Sequence, residues 1–274
     1  MRRQRVFVAL VAILALLVAA AIGMALFPGT VAEGVRRVVE AWPVVTPPPP
    51  VITAPSGPLP TGPVGMQQWV KAPGADYQRI ETSGFLLKLD DGRVVGVTTA
   101  HSLFQEDPHR RLERVALGVN GQAVWAVEAD TYWGPPGVPF AGDDLTVDYV
   151  LLKLAADDSA LALTADARGA PQPGERVTLF SGLGDGTGGP LPWAGTVLSV
   201  QPAAVMLYMD AADVNPAGMS GSPILSQHTG QVVGMALGAA LRGGRWLIGV
   251  HPIGHLVQLA QGATAFPRIA DFVR

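Results

Sequence analysis

Two patterns of apolar and polar positions divide the chain. Residues 6–27 contain no charged side chain, and a run of this length can cross a hydrocarbon core of about 30 Å as a helix. From about residue 65 onwards, short apolar runs alternate with turns rich in Gly, Pro and Asp. The second pattern is typical of a domain built from many short β-strands.

The clearest local element of that domain is a hairpin. Apolar residues fill 85–89 and 94–97, and Asp91-Gly92 lies in the turn between them. One helix is predicted near 253–261. Further strands are predicted over 114–119, 123–129, 149–154, 176–180, 194–200, 204–210, 224–225, 232–237 and 245–250. The predicted fold class is therefore all-β, a sandwich or a pair of barrels with a short C-terminal helix.

The apolar run over residues 6–27 favours a retained membrane helix over a cleaved signal peptide. The apolar region of a signal peptide is usually about 7 to 15 residues long, and the small residues Ala19 to Ala21 lie inside this run rather than after it. Three arginines in residues 1–5 favour a cytoplasmic N-terminus. The rest of the chain is then expected outside the cytoplasm.

Residues 28–64 are expected to connect the membrane helix to the β domain. Thr30 and Glu33 have the spacing of a capping box for a short helix, which either lies at the membrane interface with Trp42 as an anchor or extends the stalk. Nine prolines between residues 43 and 63 favour an extended polyproline linker. A docking site for a proline-recognising partner is the less favoured interpretation of that segment.

Composition narrows the chemistry of the predicted domain over residues 65–274. The 274-residue chain has no cysteine, so neither a disulfide framework nor a thiolate metal site is available. The formal net charge is -3, which offers no basic field for nucleic acid. Catalysis, if present, must come from Ser, His, Asp and Glu, and no cofactor is predicted.

A candidate nucleophile lies in the stretch Gly218-Met219-Ser220-Gly221-Ser222-Pro223. A serine that attacks a carbonyl carbon needs a base and donors for the resulting oxyanion. Glycine before the serine lets the backbone turn, so that the N–H groups of Gly218 and Ser220 can point at one spot. The alternative is that these small residues only form a turn before a strand.

Among the five histidines, His101 is the best candidate for the base. It follows the apolar strand over 94–97 through Thr98, Thr99 and Ala100, which would hold it at the end of a rigid sheet. A structural histidine is the alternative there. His251 and His255 could share a helical face as metal ligands, but no motif supplies a third ligand, so no metal is predicted.

The base also needs a carboxylate to orient its ring. Asp148 is favoured because it directly precedes the apolar run over 149–154, at the edge of the core. Asp143 and Asp144 follow Gly142 and are interpreted as loop residues, although either remains an alternative.

Together these motifs resemble those of the chymotrypsin-like (trypsin-like) serine proteases over roughly residues 65–274. The order His101, Asp148, Ser220 and the separations of 47 and 72 residues are similar to those of the family. The resemblance implies two six-stranded antiparallel barrels with a cleft between them. It also implies that Ser220 attacks a peptide bond, His101 transfers its proton, Asp148 orients His101, and the N–H groups of Gly218 and Ser220 bind the oxyanion.

Departures from the family pattern bear on activation and specificity. Met219 replaces the aspartate that pairs with a newly cut N-terminus in zymogen-activated members, so that activation route is not expected. Val214 stands where members that cut after Lys or Arg are acidic, and Ala236 where glutamate-specific members carry a histidine.

The resemblance therefore predicts a substrate site at Val214, Ala236, Leu237 and Gly238, with an apolar or small residue preferred before the scissile bond. Protein or peptide substrates are the expected partners. The alternative function is a catalytically silent domain that binds peptides or proteins.

Overall fold

The computed structural model describes residues 57–62, 64–104, 109–121, 126–140, 144–156, 159–183, 191–211, 213 and 215–272. The predicted cytoplasmic segment 1–5, the membrane helix over 6–27 and most of the linker over 28–64 lie outside the described residues. No helix within the described ranges has the length and apolar character needed to cross a bilayer.

β-Strands are the main regular structure of the described residues, which also contain two short α-helices. The helices are α1 (Ala100–Phe104) and α2 (Ile253–Gly262). The strands are β1 (Met66–Lys71), β2 (Gln78–Lys88), β3 (Val94–Thr98), β4 (Arg114–Gly118), β5 (Val127–Ala129), β6 (Thr131–Tyr132), β7 (Val150–Lys153), β8 (Ala162–Thr164), β9 (Arg176–Ser181), β10 (Leu191–Gln201), β11 (Ala204–Met209), β12 (Pro223–Ser226), β13 (Val232–Arg242) and β14 (Arg245–Pro252).

The first eight strands form a nearly closed barrel. The hydrogen-bonded order is β5-β4-β1-β2-β3-β7-β6, and β8 pairs in parallel with β2. The two ends of this path, β5 and β6, are separated in the chain only by Asp130. A hydrogen bond of 2.9 Å from the Ala155 N–H to the Glu128 carbonyl joins the chain just after β7 to β5. The sheet therefore curls until its edges meet.

The remaining six strands close completely, in the order β10-β11-β14-β13-β12-β9, and every pairing between them is antiparallel. Helix α2 follows directly on β14 and buries Ile253, Leu256 and Ala260. The all-β prediction, with a pair of barrels and a late helix, is confirmed. The prediction of six strands is wrong for the first barrel, which has eight because β6 and β8 are added.

Strands β3 and β7 bury both of their faces, as do residues 83–87 of β2. On β3, Val94 points into the first barrel, whereas Val95 and Val97 face the second barrel. On β7, Leu152 points into the first barrel and Leu151 faces the second. Since alternate side chains of a strand point to opposite faces, β3, β7 and residues 85–87 of β2 are apolar almost throughout. The strand that precedes His101 and the strand that follows Asp148 thus both contribute side chains to the core between the barrels.

Candidate active site

His101 and Asp148 are brought together because they lie beside two paired strands. His101 is in α1, three residues after β3, and Asp148 precedes β7 by two residues. Strands β3 and β7 are antiparallel with Thr98 opposite Val150. Side chains that follow one strand and precede its antiparallel neighbour meet at the same edge of the sheet.

The Asp148 carboxylate is fully buried and accepts four N–H groups. Oδ1 accepts the backbone N–H of Ala100 at 2.6 Å and that of His101 at 3.1 Å. Oδ2 accepts the Phe140 N–H at 3.2 Å and lies 2.7 Å from Nδ1 of His101. An ionised carboxylate has only acceptors, so four donors suit it. The aspartate is thereby fixed in position with its charge satisfied.

The contact between Asp148 Oδ2 and His101 Nδ1 determines which nitrogen of His101 carries the proton. Since the carboxylate only accepts, Nδ1 of His101 must donate to Oδ2, and Nε2 of the neutral ring is left as an acceptor. The ring is 91% buried and the edge of Phe140 packs against it, with 6.0 Å between the ring centroids. His101 therefore presents a single basic nitrogen in a fixed orientation.

Asp144, one of the alternative carboxylates, lies elsewhere. It caps the 3-10 helix Leu145–Val147 by accepting the Thr146 N–H at 2.9 Å, and it is exposed. Asp143 lies outside the described residues. Of the described aspartates, Asp148 is the one that contacts His101.

Ser220 lies in the second of two turns, over residues 216–219 and 219–222, that share Met219. The Met219 N–H donates to the Pro216 carbonyl at 3.1 Å, and the Ser222 N–H donates to the Met219 carbonyl at 2.8 Å. The third residue of each turn is a glycine with positive φ, Gly218 at +78° and Gly221 at +84°, as type II turns require. The Gly-x-x-Gly spacing of the motif thus corresponds to two successive turns.

Among the described residues, two N–H groups of the motif have no acceptor. The N–H groups of Met219 and Ser222 are used within the turns, and that of Gly221 donates to the Ala236 carbonyl at 2.8 Å. Within the described ranges, no acceptor takes the N–H of Gly218 or Ser220. The side chain of Met219 is buried in the core of the second barrel, where it anchors the motif.

The hydroxyl of Ser220 donates to the Leu237 carbonyl at 2.9 Å. The resting hydroxyl is therefore bonded to β13 rather than to His101. Its role as the nucleophile stays a prediction, as do the other roles predicted from the sequence.

Three of the four predicted substrate residues, Ala236, Leu237 and Gly238, lie in β13. The side chains of Ala236 and Leu237 are buried, whereas their carbonyls bind Gly221 and Ser220. Gly238 pairs with Gly249 of β14. Val214 lies outside the described residues.

His251 contacts the backbone carbonyl of Asp148. Its Nδ1 is 3.4 Å from the Asp148 carbonyl, and its Nε2 is 2.9 Å from Nδ1 of His255. Burial, with a smaller contribution from His255, lowers the pKa of His251 from 6.5 to about 3. Burial also lowers the pKa of His255. The two rings bind each other directly, and no cluster of three metal-ligating side chains occurs in the described part of the chain.

Sequence reasoning missed three contributors to this region. They are His251, the Phe140 N–H and Ser83, whose N–H donates to the Ser220 carbonyl at 2.8 Å. A histidine inside an apolar strand and a serine just before one were the only sequence signals for two of them. The Phe140 contact is made by the backbone, so its side chain gave no signal.

Comparison of the sequence with known protein families identifies one to which the chain belongs. No curated protein matches the sequence. Among solved structures, the crystal structure of Rv3671c from M. tuberculosis H37Rv, a serine-to-alanine mutant in its inactive form, is similar at a TM-score of 0.48 and 16% identity. The match covers 81% of this chain and 96% of that one. Residues 82–235, just over half of the chain, match the family described as "Trypsin-like peptidase domain", and the chain belongs to that family.

Proposed function

We propose that this chain is a membrane-anchored, extracytoplasmic serine endopeptidase in which His101, Asp148 and Ser220 form the catalytic triad. The observation that carries the proposal is the 2.7 Å hydrogen bond between His101 Nδ1 and the buried Asp148 Oδ2. A charged carboxylate is expensive to bury, and this one is satisfied by holding a histidine in the tautomer that a general base needs.

In the proposed reaction, rotation about χ1 moves the Ser220 hydroxyl from the Leu237 carbonyl to Nε2 of His101. Oγ then forms a bond to the carbonyl carbon of the scissile peptide while His101 takes its proton. As the tetrahedral intermediate collapses, the C–N bond breaks and His101 returns the proton to the leaving amine. Water hydrolyses the acyl-enzyme by the same route, with His101 again as the base.

The N–H groups of Gly218 and Ser220 are proposed to bind the oxyanion of the intermediate. They are the two N–H groups of the motif that have no acceptor in the described part of the chain. Both residues are partly exposed, whereas Met219 between them is buried. Fixed N–H donors aimed at a developing oxyanion are among the largest contributions to this type of catalysis.

A second function, the binding of peptides or proteins without turnover, is favoured by one observation. The Ser220 hydroxyl is bonded to a main-chain carbonyl and not to the base. If that bond persists when a substrate is bound, the domain holds its ligand without forming an acyl-enzyme.

Labelling with a fluorophosphonate probe separates the two functions, because the probe reacts only with an activated serine. We expect the full chain in detergent to be labelled, Ser220→Ala to lose labelling completely, and His101→Ala to lose most of it. Ser199→Ala is the matched control, since its hydroxyl is buried in the second barrel and has no hydrogen-bond partner among the described residues. A folded wild-type chain without Ser220-dependent labelling would refute the endopeptidase and leave the binding module.

The proposed substrates are proteins or peptides with an apolar or small residue before the scissile bond. Support comes from the sequence, in which neither Val214 nor Ala236 offers a charge to an acidic or basic side chain. A digest of a peptide library, with cleavage sites read by mass spectrometry, tests this preference. Faster cleavage after Arg or Glu than after apolar residues would contradict it.

The membrane anchor is proposed from the uncharged run over residues 6–27 and the three arginines before it. We expect the chain to resist extraction from membranes by alkaline carbonate and to be digested by protease added from the extracytoplasmic side. A soluble mature form that begins after residue 27 would instead identify a cleaved signal peptide.

A further inference from the structure

Ser83, in β2 of the first barrel, contacts the turn that contains Ser220. It is fully buried, and its hydroxyl donates to the Gly218 carbonyl at 2.9 Å. The same hydroxyl accepts the Gly182 N–H at 3.0 Å. Its backbone N–H donates to the Ser220 carbonyl at 2.8 Å. One residue of the first barrel thus holds the carbonyls of both residues whose N–H groups are proposed to bind the oxyanion.

Ser83 is itself held in place by its own barrel. The Thr98 hydroxyl is shared between the Ser83 carbonyl at 2.9 Å and Oε1 of Gln68 at 2.8 Å. Thr98 and Gln68 are fully buried. A Cβ added at Gly221 would come within 1.9 Å of the Ser83 carbonyl oxygen. The backbone at Ser83 and the turn at Gly221 are therefore packed without space between them. Ser83 therefore has little freedom to follow the turn if the turn moves.

The conformation of Gly218 is the feature that such a contact can control. Glycine adopts positive and negative φ about equally readily, so the φ of +78° is not imposed by the residue itself. The hydroxyl of Ser83 fixes the carbonyl on one side of Gly218. Leu183 covers the turn from the other side, where a Cβ at Gly218 would lie 1.9 Å from its Cδ1.

The peptide between Gly218 and Met219 is held by two bonds, that of its carbonyl to the Ser83 hydroxyl and that of the Met219 N–H to the Pro216 carbonyl. If the carbonyl were released, only the second bond would hold this peptide, and the backbone at Gly218 could rotate. The Gly218 N–H would then point away from the Ser220 N–H, and only one donor would remain for an oxyanion. The Ser83 backbone bond to Ser220 would persist in an alanine variant, so the side-chain bond is the one that substitution can test.

We propose that Ser83 is a positioning residue whose hydroxyl locks the Gly218 turn in the conformation that keeps the N–H groups of Gly218 and Ser220 on the substrate side. This inference rests on the proposed endopeptidase function, and it assigns to the first barrel a part in oxyanion binding in addition to the base. Ser83 touches neither substrate nor reacting atoms, and acts only through the turn.

The test compares Ser83→Ala with Ser199→Ala in the full chain. Both remove one hydroxyl, but that of Ser199 makes no hydrogen bond within the described part of the chain. We expect Ser83→Ala to lower kcat for a peptide substrate by about 10- to 100-fold, below the 10²- to 10³-fold loss that follows complete removal of one donor. KM should change by less than about threefold, since the donors act mainly in the transition state. Ser199→Ala should match the wild type.

A peptide aldehyde inhibitor provides a second readout, because its adduct with a serine carries the oxyanion. Its affinity should fall by the same factor as kcat in Ser83→Ala. If the aldehyde binds as in the wild type, or if kcat falls only as far as the folded fraction falls, Ser83 is an ordinary packing contact and the proposal is wrong. Equal losses in Ser83→Ala and Ser199→Ala would also overturn it.

A crystal structure of Ser83→Ala separates this inference from the endopeptidase proposal. Positioning predicts that Gly218 no longer keeps φ near +78° in every copy, whether or not the protein turns over substrate. An unchanged turn in the variant would overturn the inference. An inactive wild type with a rearranged turn in Ser83→Ala would refute the endopeptidase function and support the positioning role.

Discussion

The pair formed by the buried His251 and the half-buried His255 predicts that the protein loses stability in mildly acidic solution. The contacts define a directed chain in which Nδ1–H of His255 donates to Nε2 of His251, and Nδ1–H of His251 donates to the Asp148 carbonyl. The edge of the Tyr149 ring packs against His251, and the Asp144 charge acts on both rings from a greater distance. A second proton on His251 would have to lie on Nε2, facing a donor. The bonds therefore require His251 to be neutral.

The size of the effect follows from the pKa of His251. It is about 3 in the folded protein and 6.5 in the unfolded chain. Between these values the unfolded state binds more protons, so stability is present above pH 6.5 and is lost as the pH falls below it. Lowering the pH from 7 to 5 removes about 2 kcal/mol at this one site. His255 acts in the same direction because its pKa is lowered too.

The assay is urea unfolding at pH 7 and pH 5 for the wild type and His251→Asn. Asparagine keeps an N–H donor for the Asp148 carbonyl but has no proton to bind in this range. We expect the wild type to lose about 2 kcal/mol more than His251→Asn between the two pH values. His109→Asn, the same change at an exposed position, is the control and should behave as the wild type. Equal pH dependence in the wild type and His251→Asn would refute the reasoning.

Two further predictions concern the candidate active site. Asp148→Asn should lower kcat by about 10⁴-fold, the loss measured for the same change in a chymotrypsin-type triad, because an amide stabilises the wrong histidine tautomer; a rate within tenfold of the wild type would contradict the role of Asp148. Gly221→Ala should cost about 2 to 5 kcal/mol in thermal unfolding, since it combines left-handed strain with overlap on the Ser83 carbonyl. Gly74→Ala has a φ of +71° and open space, so it should cost only about 1 to 2 kcal/mol, and equal losses in the two variants would show that the overlap is relieved.

The strands of the second barrel could be predicted because their apolar runs are long and separated by clear turns. The first barrel was harder for two physical reasons. β6 and β8 have two and three residues, too few for a periodic pattern. β1 reads Met-Gln-Gln-Trp-Val-Lys, and Oε1 of its buried Gln68 accepts the hydroxyls of Thr82 and Thr98. Burial that depends on such distant partners leaves no local pattern.

The residues of the candidate site also include some that the sequence could identify and some that it could not. His101 and Asp148 could be found because each lies next to an apolar strand, and the two strands pair directly. Ser83 could not, because its partner Gly218 is 135 residues away and a serine before an apolar run is common at the start of a strand. His251 carried a signal, a histidine in an apolar strand, but from the sequence it was considered only as a metal ligand, and no metal was predicted; its hydrogen bond to His255 was not foreseen.

The two glycines of the Ser220 motif show where local sequence stops specifying the site. Gly218 and Gly221 permit positive φ but do not impose it, because glycine populates both signs. Besides the hydrogen bonds within the turns, contacts from the other barrel contribute to this choice, since Ser83 binds the carbonyls of Gly218 and Ser220 and crowds Gly221. The conformation of the turn is therefore stabilised by the association of the two barrels. Since His101 also belongs to the first barrel, any change that separates the barrels should disturb the base and the turn together, and the second barrel alone should not keep the Ser220 turn in this form.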